Sequence, residues 1–193
     1  MQKVTAVIQM DELWNELLER IRSYNLGILE EEVNLNIQQA REYYLAIENV
    51  STLTSPLFLF YFMVSLARVI FICKKKQPFK EVLHGLTTRK EGISVTVKAH
   101  GTFPILHSII SGTKIKPGTK FTVEELISMI PWISEIENPQ LPPLSASYIL
   151  CFLLSMLSRY EPVIWDSIRK EYSIGLFLRK TPLYFLEEVI KVL

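Results

Sequence analysis

At 193 residues, 49% hydrophobic and 21% charged, the chain can bury a sizeable core and is too apolar to be disordered. Its net charge of +1 excludes a uniformly basic or acidic protein but hides an uneven distribution. Residues 1–73 carry 5 basic and 9 acidic side chains, residues 74–120 carry 10 and 2, and residues 121–193 carry 6 and 9.

Taken in chain order, Asp11–Tyr24 spaces Leu13, Leu17, Leu18 and Ile21 on one helical face with Asp11 as its cap, and Asn25-Leu-Gly27 ends it. The next helix, about Glu30–Val50, opens on three glutamates that complement its dipole and repeats Val33, Ile37, Ala40, Tyr44 and Ile47 at helical spacing. Ser55–Cys73, SPLFLFYFMVSLARVIFIC, follows with Ser55 as N-cap and Pro56 in the first helical position. It is apolar on every face, so it must be buried on all sides. Arg68 argues for a protein core over lipid, because a guanidinium near a bilayer centre costs at least a few kcal/mol.

Lys74–Lys76 suit a helix C-terminus and Pro78 a stop. Phe79–Leu83 is read as a further helical turn, broken by His84-Gly85-Leu86. Ile93–Lys98 alternates apolar and polar residues and predicts a half-buried strand. A short helix is expected around Pro104–Ile110, then a turn at Pro117-Gly118. Thr122 and Glu125 form a capping box opening a helix to about Ile130. Asn138–Pro143 is a connector. Ser145–Tyr160 is a second nearly all-apolar helix and the expected partner of the first, with Pro162 ending or kinking it. Trp165, Ile168 and Tyr172 suggest another segment, and Thr181-Pro182 reads as the start of a last helix, Leu183–Leu193. The expected fold is mainly α: one domain over residues 1–193, a helical bundle around two apolar helices (about 55–73 and 145–160). A small β insertion falls near 93–98, inside a basic insertion at about 74–120.

That basic insertion holds all three histidines, His84, His100 and His107, and suggests a face for an anionic partner. Lys74, Lys75, Lys76, Lys80, Arg89, Lys90 and Lys98 are its candidate anion- or nucleic-acid-binding residues. The bland alternative is a solvated insertion that keeps the surface soluble. No phosphate-cradling glycine loop, HExxH or Gly-x-Ser-x-Gly occurs. The histidines are not at metal-ligand spacing, so no metal and no cofactor is expected. Glu124-Glu125 and Glu187-Glu188 read as solvated pairs, and His100 and His107 as structural rather than acid–base groups. Cys73 and Cys151 lack a CxxC partner and read as buried reduced thiols. The N-terminal run shows no charged segment before an apolar one, so no signal peptide is expected and the cytoplasm is the expected compartment.

Five runs carry a resemblance: AREYYLAIENVSTLTSPLFLFYFMVSLAR, HGL at 84–86, GTFPIL at 101–106, FTVEELISMIP at 121–131 and SYILCFLLSMLSRYEPVIW at 147–165. In this order, across about residues 35–170, they resemble the YaaC-like protein family. The chain looks like a compact version with trimmed loops, and Glu161 stands where many members have a histidine after the Arg-Tyr pair. The family's helical core is in turn similar to the HEPN superfamily, which includes ribonucleases of toxin and phage-defence systems. That likeness implies a place in a bacterial stress or defence system. The HEPN nuclease signature, an Arg followed after four to six residues by a His, is absent here, so a standard nuclease is not expected.

A nonstandard site remains from the strongest parts of the resemblance: Arg68, His84 and Arg159. If the two apolar helices pack side by side, both guanidiniums could face a shared cleft beneath His84. The alternative pairs the buried Arg68 with Glu42, Glu48 or Glu161. Three functions follow: a binding module, expected to be a homo-oligomer, for a protein or nucleic-acid partner; a divergent ribonuclease or other phosphate-handling enzyme using those three residues; or a peripheral membrane protein. The first is the expectation, without integral membrane association.

Overall fold

A helix apolar on all sides needs cover on all sides, and that requirement organises this molecule. In the computed structural model, which describes residues 2–88, 93–135 and 139–193 with side chains from residue 8 onward, the central element is α3, Ser55–Lys75. It follows α1 (Gln2–Arg22) and α2 (Glu30–Asn49) and precedes a short helix α4 (Thr102–Ser111). Then come α5 (Val123–Ser128), α6 (Pro143–Tyr160), α7 (Pro162–Ile168) and α8 (Tyr172–Val192). By length and composition alone α3 could cross a membrane. Here α2, α4, α6 and α8 pack around it, and Leu59, Phe62, Leu66, Val69 and Ile72 are wholly buried.

The expected pairing of the two apolar helices is found. The Cys151 thiol of α6 donates to the Pro56 carbonyl of α3 at 3.6 Å, and Phe60 meets Tyr148 and Phe152 edge-on at 5.4 and 5.5 Å. Each such buried ring contributes roughly 1.5–3 kcal/mol of transfer free energy. Both cysteines are free and buried. Burial lifts the Cys73 thiol to about 11, against the opposing charges of Lys76 and Lys74, and lifts Cys151 well above its ordinary value. Both are protonated and unreactive.

The β insertion is larger than the single predicted strand. Strands β1 (Leu86–Thr88), β2 (Ser94–Val97) and β3 (Lys120–Thr122) form an antiparallel sheet in the order β1-β2-β3. Leu86 faces Val97, and Val95 faces Phe121. These four side chains are buried on one face, as a period of two requires, and the sheet rests on α6.

Several expectations are corrected. α1 begins long before Asp11, which sits inside it and caps nothing. Ser55 is the first residue of α3 rather than its cap; Thr54 precedes it without a side-chain bond, and the Ser55 hydroxyl is buried without a partner. Phe79–Leu83 is not helical. There the Glu81 carboxylate accepts from the Val82 and Leu83 amides at 3.0 and 2.9 Å, satisfying locally what a helical turn would have satisfied. Pro162 opens α7, whose Trp165 donates to the Leu53 carbonyl at 3.0 Å.

Thr181-Pro182 starts no helix: α8 runs straight through both. An interior proline costs about 3 kcal/mol, offset here by burial of Leu178, Pro182, Phe185 and Leu186. The Thr181 hydroxyl, free of capping duty, accepts from the Trp132 indole at 3.2 Å. The capping box is as expected: the Thr122 amide donates to Glu125 at 2.7 Å and the Glu125 amide to the Thr122 hydroxyl at 3.2 Å.

Candidate functional site

His84 sits at a seam between the helical core and the basic segment, held there by its backbone. The α4 amides of Thr102 and Phe103 donate to the carbonyls of Leu83 and His84 at 2.8 and 2.9 Å. This contact requires two glycines. A β-carbon on Gly101, whose φ is +129°, would lie 2.1 Å from the Gly85 nitrogen, and one on Gly85 would lie 2.4 Å from a Pro104 ring carbon. HGL and GTFPIL are thus two halves of one backbone joint that fixes the imidazole.

The ring packs edge-on to Phe60 at 5.0 Å and lies 5.8 Å from Phe152. Burial holds its pKa below the ordinary 6.5, and the positive charges of Arg159 and then Arg68 lower it further. The three candidate residues therefore come within electrostatic reach of one another, and His84 is neutral at neutral pH. Arg68 shares a face of α3 with Val64 and Phe60, one and two turns earlier. Its guanidinium lies 5.7 Å from the centre of the Phe79 ring, and its buried Nε has no hydrogen-bond partner. The alternative pairing with Glu42, Glu48 or Glu161 does not occur among the described ion pairs. Arg159 is exposed and folds back along α6, its Nε donating to the Ser155 carbonyl at 3.0 Å.

His107 differs in its partners. It is buried, with Nδ1 3.0 Å from the Ser145 hydroxyl and Nε2 3.2 Å from that of Ser111. Burial holds its pKa down, and its ring ties α4 to α6.

The basic segment is exposed. Lys74, Lys75, Lys76, Lys80, Lys98, Lys114, Lys116 and Lys120 all face solvent, and among the described residues none joins a salt bridge. Arg89 and Lys90 lie outside the described residues. Lys74 and Lys76 turn away over the Tyr24 ring, at 5.5 and 5.1 Å. Lys75 instead lines a cleft of about 730 Å³ together with Lys114 and Lys116. The latter two were counted in the basic segment but not singled out from sequence. Gly112 and Gly118, at φ +70° and +88°, set their loop, and the Gly118 amide returns to the Val97 carbonyl at 2.8 Å.

A second cleft, about 610 Å³ between α1 and α2, was also missed. There Arg41 stacks over Trp14 at 5.3 Å, and Tyr44 is raised to about 12 by burial and by the charges of Glu48 and Asp11. No group of three or more metal-ligating side chains occurs among the described residues.

These features define a mainly helical protein wound round one apolar helix, with a small antiparallel sheet set in a segment whose exposed lysines join no salt bridge among the described residues. The chain belongs to the YaaC-like protein family, whose model matches residues 29–140 and 132–193, a longer span than the resembling runs. No curated protein matched the chain, and no solved structure did.

Proposed function

We propose that this protein is a binding module whose basic face takes an anionic macromolecule, with nucleic acid as the favoured partner. The observation that carries this is the set of eight exposed lysines without a carboxylate partner among the described residues. Such charges repel one another, whereas each phosphate they neutralise releases counterions and adds affinity. Placement in a bacterial stress or phage-defence system rests only on the resemblance of the family's helical core to the HEPN superfamily, an argument from analogy. Binding to a labelled single-stranded RNA and a duplex DNA, measured across a salt series, tests the reading. Affinity should fall steeply with salt, and Lys114→Glu with Lys116→Glu should weaken it on both. Salt-independent binding, or none, would leave a protein partner as the better account.

A second reading is favoured by a half-buried His84, neutral at neutral pH, that lies within electrostatic reach of Arg159 and Arg68. A divergent ribonuclease would use His84 as proton acceptor and the guanidiniums to hold phosphate. RNA cleavage lost in both His84→Ala and Arg159→Ala would support it, and cleavage that survives both would reject it.

A further inference from the structure

We propose that the cleft between α3, α4 and the 114–117 loop is a small-molecule site for a phosphate monoester borne on an apolar body. It separates its chemistry spatially. One side is the outer face of α4, where Ile105 and Ile109 stay half-buried beside Phe71 of α3 instead of being covered by protein. Ser108 stands in the same wall. The rim carries Lys75, Lys114 and Lys116 from two different elements, none in an ion pair among the described residues. One carboxylate, Glu81, also lines the cleft, and it is engaged by the Val82 and Leu83 amides.

Three ammonium groups against one occupied carboxylate suit a multiply charged anion, and lysines bind phosphate as point charges without needing planar geometry. The volume of about 730 Å³ falls within the roughly 300–1,000 Å³ typical of ligand sites, which pair apolar walls with a few polar groups. A neighbouring trough of about 540 Å³ shares Phe71, Gln77, Glu81 and Ile105 with it, so an apolar chain has room to continue past the rim. Phe71 and His100 are the ring side chains among its lining residues, and the rest of its apolar wall is aliphatic, which suits an alkyl body. This site stands whether or not the same lysines also meet nucleic acid.

The test is calorimetric titration of the full chain with octyl phosphate below its micellar range, alongside inorganic phosphate and 1-octanol. Octyl phosphate should bind at least about tenfold more tightly than either fragment. Ser108→Trp, which fills the apolar wall without changing charge, should abolish that preference while leaving oligonucleotide binding unchanged. The Lys114→Glu, Lys116→Glu double variant should weaken octyl phosphate by about tenfold or more. Should the tryptophan variant fail to fold by circular dichroism, Ser108→Leu takes its place. Equal binding of inorganic and octyl phosphate would reduce the cleft to a surface charge patch and overturn the site. So would octyl phosphate binding that survives Ser108→Trp or the double lysine variant, or no binding at all.

Discussion

α3 and α6 bury 14 of 21 and 13 of 18 residues, whereas the stretch from Lys74 to Lys120 holds eight lysines in solvent. The core accepts local losses for its packing: the Ser55, Ser147 and Tyr148 hydroxyls and Arg68 Nε are buried without partners. Each such group costs roughly 1–3 kcal/mol, which the surrounding apolar burial outweighs. In the basic stretch the opposite holds. Apart from Lys74 and Lys76 over the Tyr24 ring, its charges gain little from the fold that carries them, so their arrangement is better explained by what they meet outside it. His84 lies where the two regimes join, gripped by core rings on one side and fixed by the Gly85–Gly101 joint on the other.

The contrast can be broken from either side. Phe60→Ala should have the largest effect, about 4 kcal/mol lost in urea denaturation, because this ring touches α6 and His84 together. A loss under about 1 kcal/mol would mean that the seam is not packed as described. Gly101→Ala comes next, at about 3 kcal/mol, from backbone collision and an unfavourable φ together. It should also perturb the His84 ring resonances, and a variant as stable as the parent would show that the two loops do not touch. Thr122→Ala removes one reciprocal cap and should cost about 1 kcal/mol with the core spectra unchanged.

The gentlest change needs no substitution. Both His84 and His107 are held below the ordinary 6.5, so below that pH the unfolded chain takes up protons before the folded one. Stability is therefore full above about pH 6.5 and declines as the pH falls through that value toward the folded-state pKa. Arg159→Ala should move the His84 midpoint upward in an NMR titration and leave His107 in place. A His84 midpoint already at 6.5 or above in the parent protein would contradict its burial against Phe60 and Phe152 and the positive charges nearby.

Much of the helical frame was legible because its signals are local: Pro56 at a helix start, the Thr122–Glu125 box, the 3.6-residue repeat of α2. β1 and β3 were not, because three residues are too few to display a period of two. Pro182 misled because its local rule, first helical turn, was overridden by burial along α8. At the site, Arg68, His84 and Arg159 could be named from their runs, but their convergence on one imidazole is a matter of tertiary placement. The lysine-rimmed cleft was signalled only by the basic count of residues 74–120, which marked its lysines but not its walls. Its walls come from residues 71–81, 99–109 and 114–117, which share no spacing or motif.

The all-apolar character of α3 also has a consequence for the order in which the protein is made. α2 leaves the ribosome before α3 and α6 well after it, with a stretch of roughly seventy residues between the end of α3 and the start of α6. At about 10 residues per second, the α6-facing side of α3 waits several seconds for its cover. α2 is in place from the start and shields the other side. A helix competent to enter lipid is thus born with its α2 side already wrapped, and the sides that face α4, α6 and α8 are covered in turn as those helices emerge.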